Sequence, residues 1–313
     1  MSADLDLPEI SDLVVAFDPD SLAREDVEQE AVVAELERHG LRAGARVVRS
    51  WPTEDGALVR EHVDGVLVRS HLEMQRLSEE FQQGARMRRL LAPLVRAVAD
   101  EGGAAPLRIV DVGCGLGYVT RWLAAERAFA ARVELVGCDY NSALVTEAVA
   151  LAEREKLACR FEVANAFTTL AGSAATPTIF TSTGVIHHFR GAALEQFFEE
   201  QAAARPLGFV HSDIKPSWLA PVGAWLFHQA RMREPLAKID GVLSAVRAHS
   251  GERLARAAAS AAPEYALFLF DAEEERLPIL KVMQALIGVH VDLAASFVAG
   301  LGELAGRVRR VSG

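Results

Sequence analysis

The chain has 313 residues, half of them hydrophobic and 24% charged, enough to bury the core of one large or two modest domains. Its formal net charge of −10 argues against a nucleic-acid backbone as partner, and its densest basic group is only Arg86, Arg88 and Arg89. Three cysteines, Cys114, Cys138 and Cys159, lack any CxxC spacing, so neither a metal centre nor a disulfide framework is expected. The acidic amino terminus has no basic segment followed by an apolar one, which argues against a secretory signal. With free thiols, that suits the cytoplasm.

In chain order, Ser21 to His39 has helical period, with Val27, Val32, Val33 and Leu36 as its apolar face and Gly40 as its stop. Arg46 to Ser70 shows short Val-rich runs between Pro52, Asp55-Gly56 and Asp64-Gly65, and reads as short strands and turns. Leu72 to Ala99 reads as one long helix that Pro93 kinks or divides. Glu101 to Pro106 is a breaker. From Leu107 onward the pattern is regular. Apolar runs at Leu107 to Val112, Val133 to Asp139, Cys159 to Ala164, Pro177 to Ser182 and Leu207 to Ile214 are separated by helical stretches at Tyr118 to Ala130, Ala143 to Lys156 and Gly191 to Ala204. Strands and helices alternating in this way predict βαβ units, a mostly parallel sheet covered on both faces, and a ligand beyond the carboxyl ends of the strands. Asp240 to Ser250 reads as another helix, Tyr265 to Asp271 as a further strand, and the tail from Leu277 to Leu304 as amphipathic helices and not a membrane span.

The first strand runs into VDVGCGLGYVT, Val110 to Thr120. A triphosphate loop needs a Gly-Lys-Ser/Thr ending that is absent, and a dinucleotide fingerprint spaces its glycines as GxGxxG, whereas here the spacing is GxGxG from Gly113 to Gly117. Asp139 ends the second strand, where a carboxylate can accept hydrogen bonds from both hydroxyls of a ribose. These residues, with Cys-Asp-Tyr-Asn after the second strand and Ala-Asn-Ala-Phe after the third, resemble the class I S-adenosylmethionine-dependent methyltransferases over roughly residues 105 to 215.

The resemblance implies a doubly wound α/β fold with a mostly parallel sheet of six or seven strands, the last antiparallel. A mainly helical amino-terminal extension and a helical carboxy-terminal tail flank it. It implies S-adenosyl-L-methionine as cofactor, with Gly113, Cys114, Gly115 and Gly117 forming the loop beside its methionine part. Asp111 would stand near the amino-acid end, Asp139 on the ribose and Tyr140 on the adenine. Asn165, Ala166, Phe167 and Ser182 complete the cofactor set. Asn165 stands where the family has an aspartate, and its amide oxygen can still accept from the adenine amino group.

The fourth strand runs into Thr-Ser-Thr-Gly-Val-Ile-His-His-Phe, Thr181 to Phe189, without the Asn/Asp-Pro-Pro-aromatic form of nitrogen methyltransferases. It looks like small-molecule O- and C-methyltransferases. His188, then His187, are the expected general bases, since histidine titrates near neutrality. The boundaries expected are an amino-terminal cap over 1–104 and a cofactor-binding domain over 105–313. An insertion near 216–236, carrying Trp218, Trp225, Phe227, His228 and Met232, would supply an apolar wall for the substrate or the face of a homodimer. Arg247 has no assigned ligand. The alternatives are a catalytically inactive binding or partner protein of the same fold, a nicotinamide-dependent oxidoreductase, which the glycine spacing disfavours, and an RNA or protein methyltransferase. The charge balance counts against RNA.

Overall fold

A computed structural model describes residues 7–19, 21–101, 106–129, 132–165, 167, 176–271 and 282–311. Five parallel strands form its centre: β1 (Leu107–Val112), β2 (Val133–Asp139), β3 (Arg160–Val163), β4 (Thr178–Thr183) and β5 (Gly208–Ile214). β1 pairs with β2 on one side and β4 on the other, so the strand order reverses at β1. β3 lies outside β2 and β5 outside β4. Three antiparallel strands continue from β5: β6 (Tyr265–Asp271), β7 (Met283–His290) and β8 (Val308–Val311). β7 inserts between β5 and β6, and β8 forms the far edge, giving the order β8-β6-β7-β5-β4-β1-β2-β3.

The mostly parallel α/β sheet expected from the sequence is therefore present, with eight strands where six or seven were expected. The extra strand is β8. β7 lies in the tail read as amphipathic helix; residues 277–281 of that tail fall outside the described residues. Met283, Gln284, Ala285, Leu286, Ile287 and Val289 are all buried because β7 is covered on both faces, and its composition carries no alternation to mark it as a strand. Gly288 serves this packing: a Cβ there would meet the Phe209 ring at 2.1 Å.

The amino-terminal part is helical: a single turn at Ile10–Leu13, then α1 (Gln29–Arg38), α2 (Arg42–Arg49), α3 (Arg60–Glu80) and α4 (Gln83–Asp100). Two small antiparallel hairpins interrupt it, Ala16–Phe17 with Arg24–Glu25 and Thr53–Glu54 with Ala57–Leu58. The turn expected at Asp55-Gly56 is thus real, but the strands expected on either side of Asp64-Gly65 are helix. Val63, Val66, Leu67 and Ser70 face inward at helical spacing and override the turn signal. The long helix expected over Leu72 to Ala99 breaks at Gln82, whose φ is +51°, and not at Pro93, which lies inside α4.

The other covering helices are α5 (Tyr118–Ala125), α6 (Ser142–Glu155), α7 (Ala192–Ala203), α8 (Ala220–Arg231), α9 (Pro235–Arg247), α10 (Gly251–Ala261) and α11 (Ala294–Ala299). Successive strand residues point to opposite layers. Ile109, Ile179, Val210 and Phe268 pack with α4, α5 and α11, while Val110, Phe180, Phe209 and Leu267 pack with α7 and α10. A third apolar cluster joins α1, α2 and α3 to Leu116 of the glycine turn, Leu144 and Leu151 of α6, and Leu236 of α9. Arg121 locks this junction: Nε donates to the Leu116 carbonyl at 3.2 Å, Nη1 to Glu155 at 2.5 Å and Nη2 to Gln75 of α3 at 2.6 Å. Among the described residues no helix is long and apolar enough to cross a membrane.

Leu94 of α4 is fully buried and reaches the sheet at Gly208. Leu94→Ala is expected to destabilise the protein by about 2–5 kcal/mol in denaturant unfolding, through lost transfer energy and a residual cavity. A loss well under that range would show that α4 is not packed on the sheet as described.

Candidate active site

The carboxyl ends of β1, β2 and β4 meet at the reversal of strand order. The turn after β1 holds Gly113, Gly115 and Gly117 at left-handed φ of +64°, +53° and +68°. At Gly117, which caps α5, an added Cβ would also lie 2.1 Å from the Phe161 ring, so glycine is required for conformation and for space. Cys114 N–H donates to the Cys138 carbonyl at 3.0 Å and ties the turn to β2.

The Asp139 carboxylate completes that tie. Oδ2 accepts from Gly115 N–H and Oδ1 from Asn141 N–H, each at 2.9 Å. Burial raises the pKa of this carboxyl, against the two backbone donors, which favour its ionised form. Asn141 in turn caps α6, its Oδ1 accepting from Ala143 N–H at 3.0 Å. Asp111, near the end of β1, accepts from Thr120 Oγ1 at 3.0 Å. Its carboxyl is pushed up to about 7, mainly by burial; the Thr120 bond opposes that shift and Asp139 adds to it.

Asp111, Gly113, Cys114, Gly115, Gly117 and Asp139 therefore converge, with Tyr140 exposed on the rim and its ring edge-on to Phe17 at 5.1 Å. Other residues expected here lie apart. Phe167 is buried in the core against Phe180 and Phe197, and its N–H donates to Asn165 Oδ1 at 3.1 Å. Ala166 falls outside the described residues. Ser182 is fully buried; its hydroxyl donates to His211 Nδ1 at 2.8 Å, and His211 Nε2 donates to Gln201 at 2.6 Å, a network inside the α7 layer. Burial lowers the His211 pKa to about 3, which keeps the ring neutral.

Across the reversal point, β4 leads through Val185 into a 3₁₀ turn, Ile186–His188. Asp213, near the end of β5, accepts from His187 N–H at 2.9 Å with one oxygen and from His187 Nδ1 at 2.8 Å with the other. His188 Nδ1 donates to Asp12 at 2.7 Å. Burial lowers the His188 pKa, but Glu9 and then the Asp12 bond outweigh it and set the group at about 9. His188 thus keeps its proton at neutral pH, and the ranking of His188 ahead of His187 as a free base does not fit this environment.

Several residues here were not singled out from the sequence. Arg247 clamps the turn: Nη2 donates to the His188 carbonyl at 2.8 Å, Nε to the His187 carbonyl at 3.2 Å and Nη1 to Asp12 at 2.7 Å. Glu9 is buried beside both imidazoles, and Asp240 of α9 accepts from the N–H groups of Ile10 and Ser11 at 2.9 Å. His71 of α3 stands over the glycine turn, where a Cβ on Gly115 would meet its Cδ2 at 2.8 Å. Its Nδ1 donates to the Leu67 carbonyl at 2.9 Å, and burial lowers its pKa. None of these partners is local in sequence to the turn it serves. In the stretch expected as an insertion, Met232 and His228 are buried and Phe227 packs on Phe81, while Trp218, Trp225 and Leu226 are exposed.

Residues 109–205 match the family described as "Methyltransferase domain". No curated protein matches the chain by sequence. Among solved structures, the plantazolicin methyltransferase BamL, in complex with a desmethyl plantazolicin analogue and SAH, is 10% identical, with 72% of this chain and 96% of that one covered and a TM-score of 0.47. Magnesium protoporphyrin IX methyltransferase from Synechocystis PCC 6803, with bound SAH, is 16% identical over 84% of this chain and 100% of that one, at 0.41. A SAM-dependent methyltransferase from Aquifex aeolicus is 13% identical over 63% and 89%, at 0.40.

The raised Asp111 pKa carries a stability consequence. The folded state holds a proton that the unfolded chain releases near pH 4, so this contribution is full in acid and is lost as pH rises through about 7. Asp111→Asn, which keeps an acceptor for Thr120, is expected to flatten the fall in Tm of the ligand-free protein between about pH 5 and pH 8. Parallel wild-type and variant profiles would contradict the assignment.

Proposed function

We propose that the chain, whose residues 109–205 match the family described as "Methyltransferase domain", is a methyltransferase of the class I, S-adenosylmethionine-dependent kind that methylates an oxygen or an acidic carbon of a small, largely apolar molecule. The observation that carries this reading is the pairing, across one strand-order reversal, of a carboxylate-lined glycine turn with two histidines. The cofactor supplies an electrophilic methyl group on a positively charged sulfur.

The residues fit such a ligand. Asp139 uses one lone pair of each oxygen on backbone N–H groups, and the remaining lone pairs accept from ribose hydroxyls. Asp111 offers negative charge to the cationic amino-acid end. Gly113 to Gly117 bring backbone close, Tyr140 supplies an aromatic face for the adenine, and Asn165 stands after the third strand, where the resemblance places the partner of the adenine amino group. Phe167 and Ser182 contribute only from the packed layer behind. The His71 ring fills the space over Gly115 and has to turn aside as the ligand enters.

The acceptor lies on the other side, against the cluster of Glu9, His187 and His188, and His187 Nε2 takes up its proton. Asp213 holds the His187 Nδ1 proton, so Nε2 presents its lone pair. The exposed face of Trp218, Trp225 and Leu226 is available for an apolar wall or a homodimer contact, and the free thiols suit the cytoplasm. One competing reading has support: a catalytically inactive binding or partner protein of the same fold, for which His71 over Gly115 and Asn165 in place of aspartate both speak.

Calorimetry with S-adenosylmethionine and its demethylated product is expected to give micromolar binding, with none for NADH. Asp139→Ala is expected to weaken binding by about 1–3 kcal/mol. Affinity for the cationic cofactor is expected to rise as pH increases through about 7, because Asp111 then ionises, and Asp111→Asn removes that slope. His187→Ala is expected to leave cofactor affinity intact while lowering turnover of phenols or carbon acids by about 10²–10⁴-fold. Cofactor binding with no turnover across such a panel would favour the binding-protein reading.

A further inference from the structure

The cluster that faces the acceptor has a ligand set of its own. His187 and His188 lie face to face, with ring centroids 4.4 Å apart and an interplanar angle of 32°. Each gives its Nδ1 proton to a carboxylate, His187 to Asp213 and His188 to Asp12, at 2.8 and 2.7 Å. Those bonds fix both rings and direct both Nε2 atoms toward Glu9. Oε1 of Glu9 is 3.4 Å from His187 Nε2, and Oε2 is 3.9 Å from His188 Nε2. One ligand atom from each of the three residues lies within 4.8 Å of the others.

A second observation points to a missing partner. Glu9 is 2% exposed, yet among the described residues its Oε1 accepts no hydrogen bond. The nearest cation, Arg247, has Nε 3.8 Å away and spends its donors on Asp12 and the two histidine carbonyls. Four carboxylates, Glu9, Asp12, Asp213 and Asp240, crowd this spot around the Arg247 guanidinium and the protonated His188 ring. An unsatisfied buried carboxylate oxygen costs several kcal/mol, so it marks a place where a partner belongs.

We propose that Glu9, His187 and His188 bind one divalent ion of the zinc type. Two imidazole nitrogens and one carboxylate are the donor set of zinc and related first-row ions and not of magnesium or calcium, which prefer all-oxygen shells. Donors on a tetrahedral ion stand roughly 3.3 Å apart, so the three atoms, within 4.8 Å of one another, draw together by up to about 1.5 Å as the ion enters. Asp213 and Asp12 are the carboxylates that hold the other ring nitrogen of each ligating histidine, as in carboxylate–histidine–zinc arrangements. Ligation requires both Nε2 atoms to be unprotonated, so each proton they carry leaves to solvent as the ion enters. His188 is the partly exposed member, and its side leaves the fourth position open. Ion binding does not rest on the methyltransferase reading; with the ion bound, His187 Nε2 is a ligand and no longer a base, so an acceptor at the fourth position gives its proton to solvent.

The test uses the full chain, stripped with a chelator and titrated with Zn²⁺, and with Co²⁺ for its visible absorption. About one equivalent of Zn²⁺ is expected at micromolar affinity or better, with a raised Tm and a Co²⁺ spectrum of low coordination number. Mg²⁺ is expected not to compete. Glu9→Gln and His188→Gln are each expected to weaken binding at least tenfold and to abolish the Co²⁺ band, while His39→Gln on the surface leaves both unchanged. If Glu9→Gln fails to fold, Asp213→Asn, which removes only the group orienting His187, is expected to cost 10–100-fold. Absent binding, or binding equally strong in the Glu9 and His188 variants, overturns the proposal. Titration of the demethylated cofactor in parallel separates the readings. Zn²⁺ binding without cofactor binding leaves this site standing and removes the methyltransferase mechanism; the reverse removes only this site.

Discussion

The site depends on one buried carboxylate. Asp139 sits at the end of β2 and receives the N–H groups of Gly115 and Asn141, one on each oxygen. A carboxylate buried without such donors would be expelled or neutralised. With them, it pins the turn after β1 to the start of α6. The left-handed glycines let the backbone turn its N–H groups toward that charge, and the Cys114–Cys138 bond holds the same register one step earlier. Arg121 performs the matching task underneath, binding the turn's Leu116 carbonyl to α3 and α6. The turn is thus fixed from two sides before any ligand arrives, which lowers the ordering cost of binding.

A second constraint comes from far away in sequence. The N–H groups of Ile10 and Ser11, orphan donors at the start of a helical turn, are taken by Asp240 of α9. That capture places Glu9 and Asp12 over the histidine pair. Arg247, at the end of the same helix, then holds the carbonyls of both histidines and the Asp12 carboxylate. The amino-terminal segment and α9 together cover the histidine turn, on the side opposite the glycine turn. Charge is concentrated there, and nearly all of it is paired; the Glu9 Oε1 atom is the exception. Networks of this kind fix geometry well when satisfied and are costly when they are not.

The parallel core was legible because β1 to β5 are short apolar runs set off by turns, and each is followed by residues whose chemistry is local: three alternate glycines, a carboxylate at a strand tip, two histidines. What stayed hidden was non-local or unmarked. β7 carries no alternation, since both its faces are buried, and its Ala, Leu and Ile content reads equally as helix. α3 was obscured by Asp64-Gly65, a turn signal that tertiary packing of Val63, Val66 and Leu67 overrules. Glu9, Asp12, His71 and Arg247 join the site only through packing across the chain, for which a single sequence holds no spacing rule. Phe167 shows the converse: it follows the right strand, but its ring turns into the apolar layer beside Phe180 and Phe197.

The two sides of the cleft do different work on the proposed reading. Methyl transfer removes positive charge from the sulfonium as the new bond forms. Asp111 and Asp139 favour the charged reactant at least as much as the transition state, so they secure binding and do not by themselves accelerate the reaction. Acceleration must come from alignment and from making the acceptor more nucleophilic. Those tasks fall to the far side, where Val185 separates the glycine turn from the histidines and Asp213 fixes the His187 ring. The strand-order reversal at β1 sends β2 and β4 to opposite sides, so that one strand tip leads to Asp139 and the other to the histidine pair, and on the proposed reading this is what permits the division. A fold with both on one side would set Asp139 against His187 as a pair, and each would neutralise the other.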